Sequence, residues 1–169
     1  MILYIVRHAI AEQRDPTSSE EQDSQRPLTG AGRKKFRQIA RALGDLGTQI
    51  DLILTSPYLR AADTARILQK KLDLKKDQVV TADDLSPTGD PDRLIKEISE
   101  KYAGKGNIAL VGHEPGLSRL ISVLLSGDPT LAITLKKGGV CCLSTDKPEY
   151  GRCATLEWLL APAQLTEIG

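Results

Sequence analysis

Three short apolar runs, "ILYIV" (Ile2 to Val6), "LILTS" (Leu52 to Ser56) and "NIALVGH" (Asn107 to His113), punctuate the chain, with helical periodicities between them. None alternates strictly between apolar and polar residues, as expected of strands buried on both faces of a parallel sheet. The intervening stripes have helical spacing: Phe36, Ile39, Ala40, Leu43 and Leu46; Ala61, Ala65, Leu68 and Leu72; Leu94, Ile95 and Ile98; Leu117, Leu120, Ile121, Leu124 and Leu125. Strands alternating with amphipathic helices predict an α/β fold, a three-layer α/β/α sandwich with helices on both faces of a mostly parallel sheet. The tail differs: "GGVCCLST" (Gly138 to Thr145) and "RCATLEWLL" (Arg152 to Leu160), divided by a polar, Pro-containing turn, read as a closing strand pair. At 169 residues the chain has length for one core, so a single domain over 1–169 is expected.

Composition narrows the function. A net charge of +1 offers no footprint for nucleic acid or for an anionic membrane surface, so any anion recognition is local. The start "MILYIVRH" lacks the basic leader of a signal peptide, and no apolar run approaches the roughly 20 residues of a membrane span, so a cytoplasmic protein is expected. Cys141, Cys142 and Cys153 form no CxxC pair and read as small apolar residues of late strands, not as disulfide partners. No Cys or His pair has zinc-ligand spacing, and neither GxxxxGK[ST] nor GxGxxG occurs, which argues against a metal site and a nucleotide switch. The polar stretch "RDPTSSEEQDSQRP" (Arg14 to Pro27) reads as a disordered insert or a mobile flap. Basic "GRKK" (Gly32 to Lys35) and "DLKKDQ" (Asp73 to Gln78) read as solvated helix ends.

The chain has only two histidines, and both close a strand-like run: His8 ends "LYIVRH" and His113 ends "IALVGH". Ligands bind at the carboxyl edge of open α/β sheets, which is where these two positions fall. A third strand end, "LILTSPYLRAADTA" (Leu52 to Ala65), reads as a strand followed by Ser56 as helix N-cap, Pro57 at the first helical position and Arg60 in the first turn. Backbone N–H groups and a guanidinium at one edge suit a tetrahedral oxyanion. A cation gains nothing from the positive end of a helix, so Arg60 in that turn points to an anion nearby.

Taken in order, "VRHA", "RPLTGAGR" (Arg26 to Arg33), "LTSPYLRAADTA" and "VGHEPGL" (Val111 to Leu117) resemble the histidine phosphatase superfamily, with its phosphoglycerate mutase-like fold, from Met1 to about Leu125. The short length resembles the SixA-type protein-phosphohistidine phosphatases. Ala9 stands where many members have glycine. The resemblance implies a metal-independent phosphohydrolase without a cofactor. It would act through a phosphohistidine on His8, with Arg7, Arg60 and His113 as further catalytic and phosphate-binding groups. The implied partner is a phosphohistidine-bearing signalling or phosphotransfer protein, and the product is inorganic phosphate.

Physical need agrees with this assignment. Phosphoryl transfer spreads charge over three equatorial oxygens, so catalysis is mainly positioning and electrostatic stabilisation. Arg7 and Arg60 supply fork-shaped donors, His113 a third donor, and Arg7 disfavours the imidazolium form of His8. Arg26 has a split reading: it reaches the phosphate rim, or "RPLT" is structural with Thr29 as N-cap. Many members place a Glu general acid ahead of the last motif. This chain has "TADDLSPTG" (Thr81 to Gly89) there, with Asp84 the nearest candidate and a turn former or helix cap the competing reading. Glu114 is expected at the pocket mouth or at the start of the next helix. Alternative readings are a small-molecule phosphomonoesterase or mutase-like enzyme, and a silent phosphate-binding interaction module.

Overall fold

A computed structural model describes residues 1–168. Six strands, β1 (Ile2–Arg7), β2 (Leu52–Thr55), β3 (Val79–Thr81), β4 (Asn107–Gly112), β5 (Val140–Thr145) and β6 (Ala154–Leu160), form one sheet in the order β3-β2-β4-β1-β5-β6. The first four are mutually parallel, β5 runs antiparallel to β1, and β6 runs antiparallel to β5. The helices are α1 (Glu20–Ser24), α2 (Gly30–Asp45), α3 (Leu59–Lys71), α4 (Pro91–Lys101), α5 (Gly116–Ser126) and α6 (Pro162–Ile168).

Side chains of the central strands point alternately to two apolar cores. Leu3, Ile5, Leu52, Leu54, Ile108 and Leu110 meet Leu94, Ile95 and Ile98 of α4 and Leu117, Leu120 and Ile121 of α5. Val6, Ile53, Ala109 and Val111 meet Phe36, Ile39 and Leu43 of α2, Ala61, Ala65 and Leu68 of α3 and Leu165 of α6. Both faces are apolar because both are covered, which is why the strands carry no polar alternation. The outcome is the mixed three-layer sandwich expected.

The four apolar stripes are α2 to α5, and the late strand pair is β5 and β6. Cys141 and Cys142 lie buried in β5, and Cys153 just before β6; all are free thiols. Three elements were not anticipated. β3 is too short to show a period, α6 follows β6 after one residue, and α1 lies in the stretch read as an insert or flap. That stretch is locally organised: Ser19 and Gln22 form a reciprocal capping box, and Asp23 is buried. No helix among the described residues is long and apolar enough to cross a membrane.

One clamp fixes the chain after β1. Thr29 caps α2 by accepting the Gly32 N–H at 2.8 Å, and its own N–H donates to the Ile10 carbonyl at 3.0 Å. A Cβ at position 32 would lie 2.1 Å from that carbonyl oxygen, so only glycine permits the approach.

Candidate active site

The parallel register aligns the ends of three strands. Arg7 pairs with Gly112 and Thr55 with Val111, so the residues that follow, His8, Ser56 and His113, leave the sheet side by side. The His8 N–H donates to the Gly112 carbonyl at 3.1 Å, and the Ser56 N–H to the Val111 carbonyl at 2.9 Å. The two imidazoles stand 4.9 Å apart, centroid to centroid, and each residue is at most 5% exposed.

Small residues let β1 turn into the pocket. Ala9 is buried, and its N–H donates at 3.0 Å to the Thr64 hydroxyl, which donates in turn to the Arg60 carbonyl at 2.6 Å. Thr64 therefore ties the loop of His8 to the helix of Arg60. The His8 Nδ1 lies 2.7 Å from the Ala9 carbonyl. A carbonyl only accepts, so Nδ1 carries the proton and Nε2 holds the free lone pair. Burial, with smaller contributions from Arg60, Arg7 and Lys137, outweighs the bond to Ala9 and lowers the His8 pKa to about 3. The tertiary fold thus does more than the adjacent Arg7 to keep this ring neutral. Burial, with His8 and the arginines, takes His113 to about 2.

Ser56 is not the cap expected. Helix α3 begins at Leu59 with Tyr58 in the cap position, and the Ser56 hydroxyl faces His113 Nε2 at 2.9 Å while accepting the Tyr58 N–H. Arg60 does lie in the first turn, and its anion is supplied by the protein. Nη1 donates to the Asp23 carbonyl at 2.8 Å and Nη2 to the Asp23 carboxylate at 3.1 Å. Its outer fork is therefore spent on α1. Arg26 donates from Nε to the same carboxylate at 3.0 Å and from Nη1 to the Glu12 carbonyl at 2.7 Å. Burial acts to raise the Asp23 pKa, but Arg60, Arg26 and Arg14 outweigh it and hold it below its ordinary value. Arg7 donates from Nη1 to the Leu135 carbonyl at 2.8 Å.

Arg7, His8, Arg26, Arg60 and His113 line one cavity of about 230 Å³, together with Arg14, Asp23, Pro87, Glu114 and Lys137. Among the described residues, the buried side-chain polar atoms without a hydrogen-bond partner are Arg7 Nε, Arg60 Nε, His113 Nδ1 and Glu114 Oε1. All four residues line this cavity, and the three nitrogens come from the end of β1, the first turn of α3 and the residue after β4. Buried polar groups are ordinarily satisfied, so unpaired ones converging on one cavity mark a ligand site.

Asp84 is placed elsewhere. It sits in a short 3₁₀ turn and accepts Arg93 Nε and Nη2 at 3.0 and 2.8 Å and the Asp90 N–H at 3.2 Å. Of the competing readings, the structure shows the turn: α4 is capped by Asp90, and Asp84 in the preceding turn receives the Asp90 N–H and the Arg93 guanidinium. Sequence reading missed Asp23, Thr64 and Tyr58. Tyr58 meets His113 edge-on at 5.2 Å, lies under the Arg60 guanidinium at 4.9 Å, and donates its hydroxyl to Glu20. Its place between Ser56 and Arg60 was the available signal. Among the described residues, no group of three or more His, Cys, Asp or Glu could hold a metal ion.

The two lowered histidine pKa values have a thermodynamic consequence. Well above pH 6.5 both rings are neutral whether the chain is folded or not. As pH falls below 6.5 the unfolded chain takes up protons that the folded chain refuses, and stability declines until the folded values near 3 and 2 are reached. The slope approaches about 1.4 kcal/mol per pH unit per histidine. Denaturant midpoints at pH 7 and pH 5 should show this decline, and His8→Gln should remove about half of it. An unchanged slope in that variant would contradict the burial account.

Comparison with known proteins agrees with this geometry. Residues 3–86 match the histidine phosphatase superfamily (branch 1). An uncharacterized protein of Picosynechococcus sp. (strain ATCC 27264 / PCC 7002 / PR-6) is 33% identical over 141 residues, which cover 83% of this chain and 82% of that protein. Phosphohistidine phosphatase SixA of Escherichia coli (strain K12) is 26% identical over 167 residues, covering 98% of this chain and 96% of the relative. The solved structure of the protein histidine phosphatase SixA complexed with tungstate superposes with a TM-score of 0.82 at 26% identity, covering 98% of this chain and 99% of that one. The α/β fold, with its paired strand-end histidines, superposes over nearly its whole length on that histidine phosphatase. The chain belongs to the histidine phosphatase superfamily.

Proposed function

We propose that the chain is a protein-phosphohistidine phosphatase whose nucleophile is His8. The observation that carries this reading is the fixed tautomer of His8: a neutral ring with its Nε2 lone pair free, in a cavity lined by Arg7 and Arg60, each with a buried, unpartnered Nε donor, and by His113, whose Nδ1 is also unpartnered. Tungstate, present in the SixA structure, is a tetrahedral oxyanion, and the same shape suits these donors.

In the first step His8 Nε2 attacks phosphorus in line. The new N–P bond forms as the P–N bond of a substrate ring protonated on its other nitrogen breaks, and the electron pair returns to that ring, which leaves as neutral imidazole. Arg7, Arg60 and His113 meet the equatorial oxygens as charge develops, each charge-assisted bond being worth roughly 1.5 to 3 kcal/mol. In the second step water attacks the phosphoryl group on His8 and releases inorganic phosphate, restoring the free Nε2.

The choice of leaving group follows from the carboxyls. Asp84 is turned to Arg93 and does not line the cavity, and Asp23 is held ionised by arginines and has no proton to give. An alkoxide needs a donor, whose contribution is typically about 100-fold or more, whereas a phosphohistidine ring that has taken its proton from solvent on the other nitrogen leaves as neutral imidazole without one. Phosphohistidine should therefore be hydrolysed with kcat/KM on the order of 10²-fold above that for phosphoserine in the same peptide, with chelator present. The reverse preference would refute the reading. Glu114 is the remaining carboxyl of the cavity, with Oε1 unpartnered, and Glu114→Gln completes the test: phosphohistidine turnover should be nearly unchanged, and selective loss of alkyl phosphate turnover would identify Glu114 as a proton donor and remove the basis of the preference.

A further inference from the structure

The cavity around His8 is small. At about 230 Å³ it falls below the roughly 300 Å³ at which sites for whole small ligands begin, so it holds a phosphoryl group and an imidazole but not the chain that bears them. The rest of the substrate must lie outside. Two residues of the cavity wall, Arg7 and Lys137, also line a neighbouring groove of about 570 Å³, completed by Ile10, Lys35, Lys136, Ala161, Pro162 and Ala163.

The groove is built from four parts of the chain: the turn after His8, the start of α2, the segment before β5 and the β6–α6 junction. It carries four cations and no carboxylate. Among the described residues, Lys35, Lys136 and Lys137 form no ion pair. Two other basic clefts of comparable size differ from it: the one between α2 and α3 contains Asp63, which pairs with Arg33 and Arg66, and neither that cleft nor the one lined by Arg66, Lys70 and Lys76 shares a residue with the reaction cavity. Apolar surface sits between the lysines, with Ile10 39% exposed beside Ala161 and Ala163. Unpaired cations around an apolar strip, opening directly onto the reaction cavity, complement a protein surface that is acidic around an apolar patch.

We propose that this groove is the docking surface for the phosphoprotein, and that it selects partners whose phosphohistidine is flanked by Asp and Glu. The inference rests on the phosphohistidine phosphatase reading above and adds the chemistry of the partner. Lys35, at the start of α2, is accordingly a contact residue as well as part of a solvated helix end.

The test uses the full chain and three probes: free phosphohistidine, a short peptide with one phosphohistidine flanked by glutamates, and the same peptide with the glutamates replaced by lysines. Wild type should prefer the glutamate peptide at low ionic strength, and the preference should collapse at high salt, where screening shortens the range of charge interactions to a few ångströms. Lys35→Glu with Lys136→Glu should lower kcat/KM for the glutamate peptide by about tenfold, mainly through KM, and improve the lysine peptide. Free phosphohistidine should be turned over at the wild-type rate. Lys70→Glu with Lys71→Glu makes the same charge change at the other end of α3, roughly 15 Å along the helix from Arg60, and should leave all three probes unaffected. Equal effects of the two double variants, a matching loss on free phosphohistidine, or no preference between the peptides in wild type would each overturn the docking surface. Failure of wild type to hydrolyse any of the three probes would instead overturn the phosphatase reading itself.

Discussion

His8→Ala is expected to lower phosphate release from a phosphohistidine peptide by on the order of 10³-fold or more, because the variant lacks the nitrogen on which the covalent intermediate forms. The loss should fall on kcat. Arg7 and His113 reach their places from the ends of β1 and β4 and Arg60 from the first turn of α3, held by contacts that do not involve the His8 ring, so the variant should still bind tungstate or phosphate. Wild type quenched in alkali during turnover should carry a phosphoryl group that is stable to base and labile to acid, as an N–P bond is, and the variant should carry none. The ring of His8 is buried, so its removal leaves a hole shaped like imidazole. Added imidazole should enter it and restore part of the rate. Full activity of His8→Ala would refute the mechanism. Wild type that binds phosphate without turnover or a phosphoenzyme would point to a silent binding module.

The layers of this fold were legible because burial on both faces leaves a mark on the strands themselves: β1, β2 and β4 carry apolar runs and the helices between them carry stripes. The two histidines were legible for a related reason, since a polar aromatic ring at the end of such a run can only emerge at the sheet edge. Contacts between elements left no such mark. Asp23 lies 37 residues before Arg60 in a segment with no periodicity, and nothing local distinguishes it from Glu20, Glu21 or Asp15. Asp84 was ambiguous for the opposite reason. Its loop position was visible, but the Arg93 that pairs with it lies on the next helix, so its partner is set by the packing of α4 and not by the local sequence. The neutrality of His8 was expected from adjacent Arg7, whereas burial is the larger cause, and burial is a property of the assembled sheet.

Arg60→Ala is expected to cost on the order of 10³-fold in kcat/KM, the upper end of what one lost oxyanion donor costs, because two effects add. The first is removal of Arg60 Nε, a buried donor with no partner inside the protein. The second comes from Asp23. Arg60 covers that carboxylate with Nη2 and its carbonyl with Nη1; without them an ionised, largely buried group in the phosphate cavity is left with Arg26 and Arg14 alone. Truncating one partner of a buried charge pair leaves the other uncompensated, and here the uncompensated charge has the sign of the substrate. Asp23→Asn removes that charge while keeping the side chain's shape. Alone it should lower kcat/KM by about tenfold, since the Arg60 fork loses its anchor. In the Arg60→Ala background it should raise activity by about tenfold, because no fork remains to be anchored and only the repulsion is relieved. Independent contributions would instead make the double variant worse than either single one. That additive outcome would reduce Asp23 to a structural tether, whereas the sign reversal would show that α1 holds Arg60 at the cost of a negative charge beside the phosphate, which is tolerable only while the arginine is in place.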